Sequence, residues 1–196
     1  MKIIGITGGV GAGKTQVLSY METHYRCRII RADEAAHFLY EPGQECYQKL
    51  VGFLGQQILN KDNTIDKTKM AGIIFRDQKL LEGVNGIVHP AVKQYIIEQI
   101  AYEREKGEAD YFFIEAALLI EEHYDQIADE LWYIHSDVAV REQRLAKSRH
   151  YSAQKTADIM RGQLSEAEFR KHCKVVISNN GDLDETYEQI KHIMGD

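Results

Sequence analysis

The sequence predicts an α/β fold: a parallel sheet flanked by helices, with a helical insertion and a helical lid. Three observations lead there. Short apolar runs of strand length alternate with amphipathic stretches of helical length, the pattern of βα units around a parallel sheet. The runs are apolar almost without interruption, as strands covered on both faces require. A glycine-rich segment, Gly8–Thr15, stands between the first run and the first helical stretch.

Taken in order, Lys2–Ile6 reads as the first strand, followed by a tight turn and a helix from Lys14 to about His24. Cys27–Ile30 is a second short strand, Tyr111–Ile114 and Leu131–Ile134 are two more, and Val175–Ile177 is the last. About eighty residues with helical periodicity separate the second strand from the third, with turns at Pro42-Gly43 and Lys61-Asp62-Asn63. That is too long for one crossover, whose minimum is about a dozen residues, so an insertion is expected. Ser152–Arg161 and Ser165–His172 form a helical pair joined near Gly162. Asp182–Met194 is a closing helix with Asp182 as its N-cap. The expected organisation is a core of about 1–32, 108–140 and 174–196, an insertion of about 33–107, and a lid of about 141–173.

Composition narrows the class. A chain of 196 residues suits one domain, or a core carrying an insertion. Hydrophobic residues make up 44% and charged ones 28%, ordinary globular usage that argues against wholesale disorder. The only prolines are Pro42 and Pro90, which excludes a proline-rich linker. Cys27, Cys46 and Cys173 lie far apart, in no zinc-binding or disulfide spacing, and suit a reducing compartment. The opening apolar run is too short for a signal peptide, and no run reaches the roughly 18 apolar residues of a membrane span. A soluble cytoplasmic chain is expected, with no membrane partner. The net charge of −6 speaks against nucleic acid as a partner. Charge is unevenly spread, however: Arg141–Lys174 holds nine Lys or Arg against four Asp or Glu, a local +5, leaving −11 for the rest. Such a segment is either a solvated helical face or a cationic surface for a small polyanion.

Gly8-Gly9-Val10-Gly11-Ala12-Gly13-Lys14-Thr15 matches the phosphate-loop pattern G-x-x-x-x-G-K-[ST] in full, between a strand and a helix as that pattern requires. Its glycines let the chain turn so that successive N–H groups point at one centre, to which the following helix adds its positive end. Lys14 reaches the terminal phosphates and the Thr15 hydroxyl ligates Mg²⁺. The fold is therefore expected to be of P-loop NTPase type, with ATP or GTP as the nucleotide. Guanine would call for an N-K-x-D element; Asn60-Lys61-Asp62-Asn63 lacks its aspartate and reads as a turn. Glu115, closing the Tyr111–Ile114 strand, either holds a Mg²⁺-bound water or is structural.

On the acceptor side, Asp33 directly follows the second strand. It falls at a carboxyl strand end, on the rim where α/β proteins bind ligands. It is either a base that accepts the proton of an acceptor hydroxyl or the N-cap of a helix over Glu34–Tyr40. His89 precedes Pro90 at the expected start of a long helix and is either its cap or a contact to an anionic substrate. Arg141, Arg144 and Arg149 follow the fourth strand. Arg141 and Arg144 are three residues apart and so share a helix face. Their planar forks suit phosphoryl oxygens. Helices bearing them fit a lid that closes over ATP and excludes water.

With these residues placed, the chain resembles the dephospho-coenzyme A kinase family, essentially end to end. The marks are Ile6-Thr7-Gly8-Gly9-Val10-Gly11-Ala12-Gly13-Lys14-Thr15, Ala32-Asp33 followed by Ala36-His37, and Glu41-Pro42-Gly43. Ile65-Asp66, His89-Pro90-Ala91-Val92, Ala117-Leu118-Leu119-Ile120-Glu121 and Ile177-Ser178-Asn179-Asn180-Gly181 continue them. The resemblance implies Mg²⁺-dependent transfer of the ATP γ-phosphate to the ribose 3′-hydroxyl of dephospho-coenzyme A, the final step of coenzyme A synthesis. It implies a nucleotide-binding set of Gly8, Gly9, Val10, Gly11, Ala12, Gly13, Lys14, Thr15 and Gln16, of which Gly11–Gln16 wrap the β- and γ-phosphates, with Asn179 near adenine. Asp33 is implied as the base, acting with Lys14 and the lid cations Arg144 and Arg149. Thr7, Asp33, His89, Leu118 and Leu119 are implied at the acceptor site. Four positions depart from the usual pattern: Arg31, Ala117, Cys173-Lys174, and a one-residue longer spacing from Arg144 to Arg149. Another small P-loop kinase of metabolites or nucleosides, or a nucleotide-binding protein without turnover, shares much of this set.

Overall fold

A computed structural model describes residues 1–195. The strands are β1 (Lys2–Thr7), β2 (Cys27–Arg31), β3 (Tyr111–Glu115), β4 (Glu130–His135) and β5 (Val175–Ser178), in the order β2-β3-β1-β4-β5. β1 pairs in parallel with β3 and β4, and β4 with β5. The helices are α1 (Lys14–His24), α2 (Ala32–Leu39), α3 (Glu45–Leu54), α4 (Lys67–Ile74), α5 (Gln78–Lys106), α6 (Val138–Arg149), α7 (Ala153–Arg161), α8 (Glu166–His172) and α9 (Leu183–Met194). Short 3₁₀ turns lie at Gln56–Ile58 and Tyr124–Gln126. The chain forms two compact units, one of Met1–Ile29 with the chain from Glu103 onward, the other of Ile30–Tyr102.

In the first unit β1 is central, and β-branched Ile3, Ile4 and Ile6 are buried on it. Its two faces serve different layers because side chains alternate along a strand. Ile4 and Ile6 join Phe113, Trp132, Ile134 and Ile177 against Val17, Leu18 and Met21 of α1 and Ile190 of α9. On the opposite face Gly5 leaves room for Leu119 and Leu131, whose methyls come within 2.7–3.1 Å of where a β-carbon would stand. The helices end as their sequences dictate. Ser152 and Ser165 cap α7 and α8 by accepting from the Lys155 and Glu168 N–H groups, both at 3.2 Å. Asp182 occupies the N-cap position of α9 without a side-chain hydrogen bond there. No helix of the described residues is long and apolar enough to cross a membrane.

The second unit buries Leu50 and Leu54 of α3, Ile58, Ile65, Met70 of α4, and a stripe on α5: Val84, Val88, Val92, Ile96 and Ile100. Asp66 caps α4 through the Thr68 and Lys69 N–H groups, each at 3.0 Å. α5 corrects the expectation that a helix starts at His89-Pro90. It starts eleven residues earlier, at Gln78, where Asp77 accepts from the Lys79 and Leu80 N–H groups, and Pro90 lies in its interior. An internal proline costs a hydrogen bond and presses its ring on the carbonyl four residues back. Here that residue is Gly86, which is exposed.

At the amino edge of the first unit's sheet, Glu130 is nearly buried and accepts from Lys2 Nζ at 2.7 Å, Trp132 Nε1 at 2.8 Å and Lys174 Nζ at 2.9 Å. This gives Lys174, one of the departures from the family pattern, a structural partner. Burial alone would raise the Glu130 carboxyl, but the hydrogen bonds from Lys2, Lys174 and Trp132, with the Lys2 charge, overcome it and hold the pKa at about 2. Because this lies below the ordinary 4.5, the carboxylate's stabilisation is complete above pH 4.5 and is lost as pH falls through about 2. Glu130→Gln is expected to cost about 1–3 kcal/mol at pH 7, lowering the melting temperature by several degrees. In melts repeated down to pH 2.5 the gap to the parent should shrink to a fraction of its neutral-pH size; a constant gap would mean that charge plays no part.

Candidate active site

The carboxyl ends of four strands make one rim, since the register aligns Ile6 with Glu115, Thr7 with Tyr133 and His135 with Ser178. The chain crosses from one side of β1 to the other between β3 and β4, so the β1 end is a switch point of the kind that binds ligands in α/β sheets. The Gly8–Thr15 loop leaves from that point. It closes on itself through Ala12 N–H to the Gly9 carbonyl at 3.1 Å and enters α1 at Gly13, the N-cap. Gly13 has φ 89°, in the left-handed region, and a β-carbon there would collide with the Asn179 amide. Both facts demand glycine.

Asn179 holds the loop from behind. Its Nδ2 donates to the Ala12 carbonyl at 2.7 Å, its Oδ1 accepts from Thr186 Oγ1 at 3.0 Å, and it is 1% exposed. The side chain expected near adenine is thus committed to the loop's own peptide and to α9, because burial obliges both ends of the amide to find partners. Ser136, also buried, donates to the Asn179 carbonyl at 2.6 Å and lies 3.2 Å from that of Ala12. Arg144 Nη1 donates to Ser136 Oγ at 3.1 Å, which brings this cation to the same support. Arg149, five residues on, is the exposed last residue of α6. At 100° per residue it faces about 140° away from Arg144, so one rigid helix does not aim both at one point.

Arg141 and Gln163 hold the loop from the other side, at Val10. A β-carbon on Gly9 would strike the Arg141 guanidinium. Burial lowers the pKa of that guanidinium, slightly opposed by the Tyr133 charge. Lys14 Nζ donates to the Gly8 carbonyl at 2.9 Å and lies 3.7 Å from Glu115 Oε1. Thr15 and Gln16 are exposed in the first turn of α1. Thr7 is fully buried, and its hydroxyl has no hydrogen-bond partner among the described residues. Leu118 is 42% exposed but Leu119 is 0% exposed beneath Gly5, so of this pair only Leu118 offers a surface. Leu119 is core because the pocket left by Gly5 fits its methyls.

In the second unit, Asp33 is an exposed residue in the first turn of α2. The N-cap is Arg31, because β2 runs on to that residue and α2 starts at Ala32, so the reading of Asp33 as a cap is corrected. Arg31 Nη1 lies 3.7 Å from Glu34 Oε1, one turn along. The Tyr40 phenol is pushed up to about 12, by burial first and then by Cys46 and Asp33. His89 is half-buried inside α5, not a cap. Ser136 and Gln163 stood outside the expected residues, and Arg141, read with Arg144 and Arg149 as a lid arginine suited to phosphoryl oxygens, bonds Val10 and Gln163. Only Arg141 carried a signal, its three-residue spacing from Arg144.

A family model described as dephospho-CoA kinase matches residues 2–185. The dephospho-CoA kinase of Listeria monocytogenes is 31% identical over 189 residues, covering 96% of this chain and 94% of the relative. Among solved structures, a Thermus thermophilus protein superposes with a TM-score of 0.82 at 24% identity, over 99% of this chain and 96% of its own. Dephospho-CoA kinase from Campylobacter jejuni gives 0.71 at 22% identity, with the same coverage. At those identities the two structures speak for the fold, a P-loop α/β fold.

Asn179→Asp replaces the donor to Ala12 with an oxygen at nearly the same place, so two acceptors would face each other. A loss of about 2 kcal/mol of stability is expected, with weaker nucleotide binding. Thermal melts and ATP titration check this; a variant unchanged in both would show that the amide does not support the loop.

Proposed function

The chain belongs to the dephospho-CoA kinase family, and on that premise we propose that it transfers the γ-phosphoryl group of ATP to the ribose 3′-hydroxyl of dephospho-coenzyme A. ADP and coenzyme A are the products. The observation that carries this reading is the complete phosphate loop at the β1 switch point, its backbone tied down on both sides in a chain of this family.

The loop N–H groups of Gly11–Gln16 and the positive end of α1 receive the β- and γ-phosphates. Lys14 follows the charge that develops on the transferred group. Its present ties, to a carbonyl and a carboxylate, keep the ammonium at the loop. Mg²⁺ fits the donor set: Thr15 offers an exposed hydroxyl and Glu115 a carboxylate at the same loop. Mg²⁺ sites use one or two such oxygens together with substrate phosphates, so the absence of a larger His/Cys/Asp/Glu cluster among the described residues is compatible with it. When bound, the ion neutralises charge on the phosphates.

Asp33 orients the 3′-hydroxyl and accepts its proton as the new O–P bond forms and the bond from the γ-phosphorus to the ADP oxygen breaks. Freedom from capping duty supports this role. Arg144, on a lid of about 141–173, steadies the phosphates while the lid excludes water; Arg149, on another face of α6, adds only to the lid's positive charge. For the acceptor, the second unit offers the segment of about 33–107 with His89, and the first unit offers the exposed Leu118, while Thr7 lies buried at the end of β1. Free Cys27, Cys46 and Cys173 suit the cytoplasm, and burial pushes the Cys27 and Cys173 thiols up to about 11, where they stay protonated.

The test of the reaction is ADP release with dephospho-coenzyme A set against a panel of nucleosides. Activity with a nucleoside instead would name another kinase, and none with any acceptor would name a nucleotide binder. Asp33→Asn should bind ATP as the parent does, melt within a few degrees of it, and lose at least about two decades of turnover. Turnover surviving within a few-fold would take the base away from Asp33.

A further inference from the structure

Val10, at the crown of the phosphate loop, has both its peptide groups engaged by side chains from outside the loop. Its N–H donates to Gln163 Oε1 at 3.1 Å, and its carbonyl accepts from Arg141 Nε at 2.8 Å. Arg141 Nη2 donates to the same Gln163 oxygen at 2.8 Å, closing a ring of three hydrogen bonds. Arg141 stands in the first turn of α6, and Gln163 in the turn that joins α7 to α8. Val10 lies between Gly9 and Gly11, and Gly11 has φ 80°. A peptide flanked by two glycines turns over easily, and each turn would misdirect the neighbouring N–H groups.

We propose that Arg141 and Gln163 are positioning residues for the nucleotide. They fix the Val10 peptide so that the loop is shaped for phosphate before ATP arrives, and they make seating of the α7–α8 turn a condition of that shape. Neither side chain needs to touch the nucleotide. The effect is preorganisation: ATP no longer has to order the loop as it binds. Arginine suits the task because its planar fork serves the Val10 carbonyl and the Gln163 oxygen together, which the single ammonium of lysine does not do in fixed geometry. Glutamine suits its own part because one amide oxygen can accept from two donors at once.

The inference rests on the reading that this loop binds ATP, and its test needs no acceptor. ATP affinity is measured by calorimetry on the full chain for the parent, Gln163→Leu, Arg141→Met and the double variant, with melting temperatures alongside. Each single variant should bind ATP about tenfold more weakly, the effect of losing a hydrogen bond to a charged group. The double variant should be no more than about threefold worse than the weaker single one, because the ring fails as a unit. Gln163→Glu keeps the accepting oxygen beside Arg141 and should recover most of the affinity. A purely structural role would lower the melting temperature and leave the ATP affinity of the folded protein unchanged.

Gln163→Leu within twofold of the parent, or losses that simply add, would overturn the proposal. If Arg141→Met does not fold, Gln163→Leu against Gln163→Glu decides the same point. In turnover, the KM for ATP should rise in Gln163→Leu while the KM for dephospho-coenzyme A stays put. A parent that binds ATP yet does not phosphorylate dephospho-coenzyme A would remove the proposed reaction and leave the clamp to be judged by calorimetry alone.

Discussion

An anion cradle made of peptide N–H groups has to be built from residues that cannot hold their own shape. The glycines that let Gly8–Thr15 converge on one centre also leave it free to take many other conformations. The structure answers that conflict by gripping carbonyls, and at Val10 an N–H as well, with side chains that all come from outside the loop except Lys14. Asn179 and Ser136 lie at the Ala12 carbonyl, Lys14 at that of Gly8, and Arg141 with Gln163 at the Val10 peptide. These grips come from β5's end, β4's end, α1, α6 and the α7–α8 turn. Much of the first unit therefore converges on eight residues, and the parallel sheet is the frame that lets it do so.

The two ends of the sheet use charge differently. At the amino edge, Glu130 is enclosed by Lys2, Lys174 and Trp132, a closed set whose bonds are satisfied internally. At the carboxyl rim, Thr15 and Gln16 stay exposed and the Thr7 hydroxyl is left without a partner among the described residues. Satisfied polar groups favour one rigid arrangement, whereas open ones are where a ligand finds its bonds. The contrast separates the stabilising end of the fold from its chemical end.

Local physics made some of this readable beforehand. The five strands stand where continuous apolar runs stood, and the phosphate loop is a contiguous string whose glycines have a backbone reason. What could not be read depended on partners distant in sequence. Pro90 looked like a helix start because the rule for proline is local; that the helix begins at Gln78 and carries the proline inside it depends on the apolar stripe that α5 buries along its whole length. Leu119, in the turn after β3, looked like a neighbour of Leu118 until Gly5 on β1 claimed it. Asn179 has nothing in its own segment to say that it bonds 167 residues away, and Gln163 sits in an ordinary turn with no pattern at all. Asp33 missed the cap by two residues, because the second strand runs one residue further than its apolar stretch.

Trp132 is the chain's single tryptophan, 1% exposed in the layer between the sheet and α1 and α9, with its indole N–H tied to Glu130. That makes it an optical probe with a fixed address. Its emission is set by an apolar cage and one carboxylate at the amino edge, and it has no bond to the phosphate loop. Changes in its spectrum therefore follow the integrity of the core and the protonation of Glu130. A separate chromophore is needed to watch nucleotide arrive at the opposite rim.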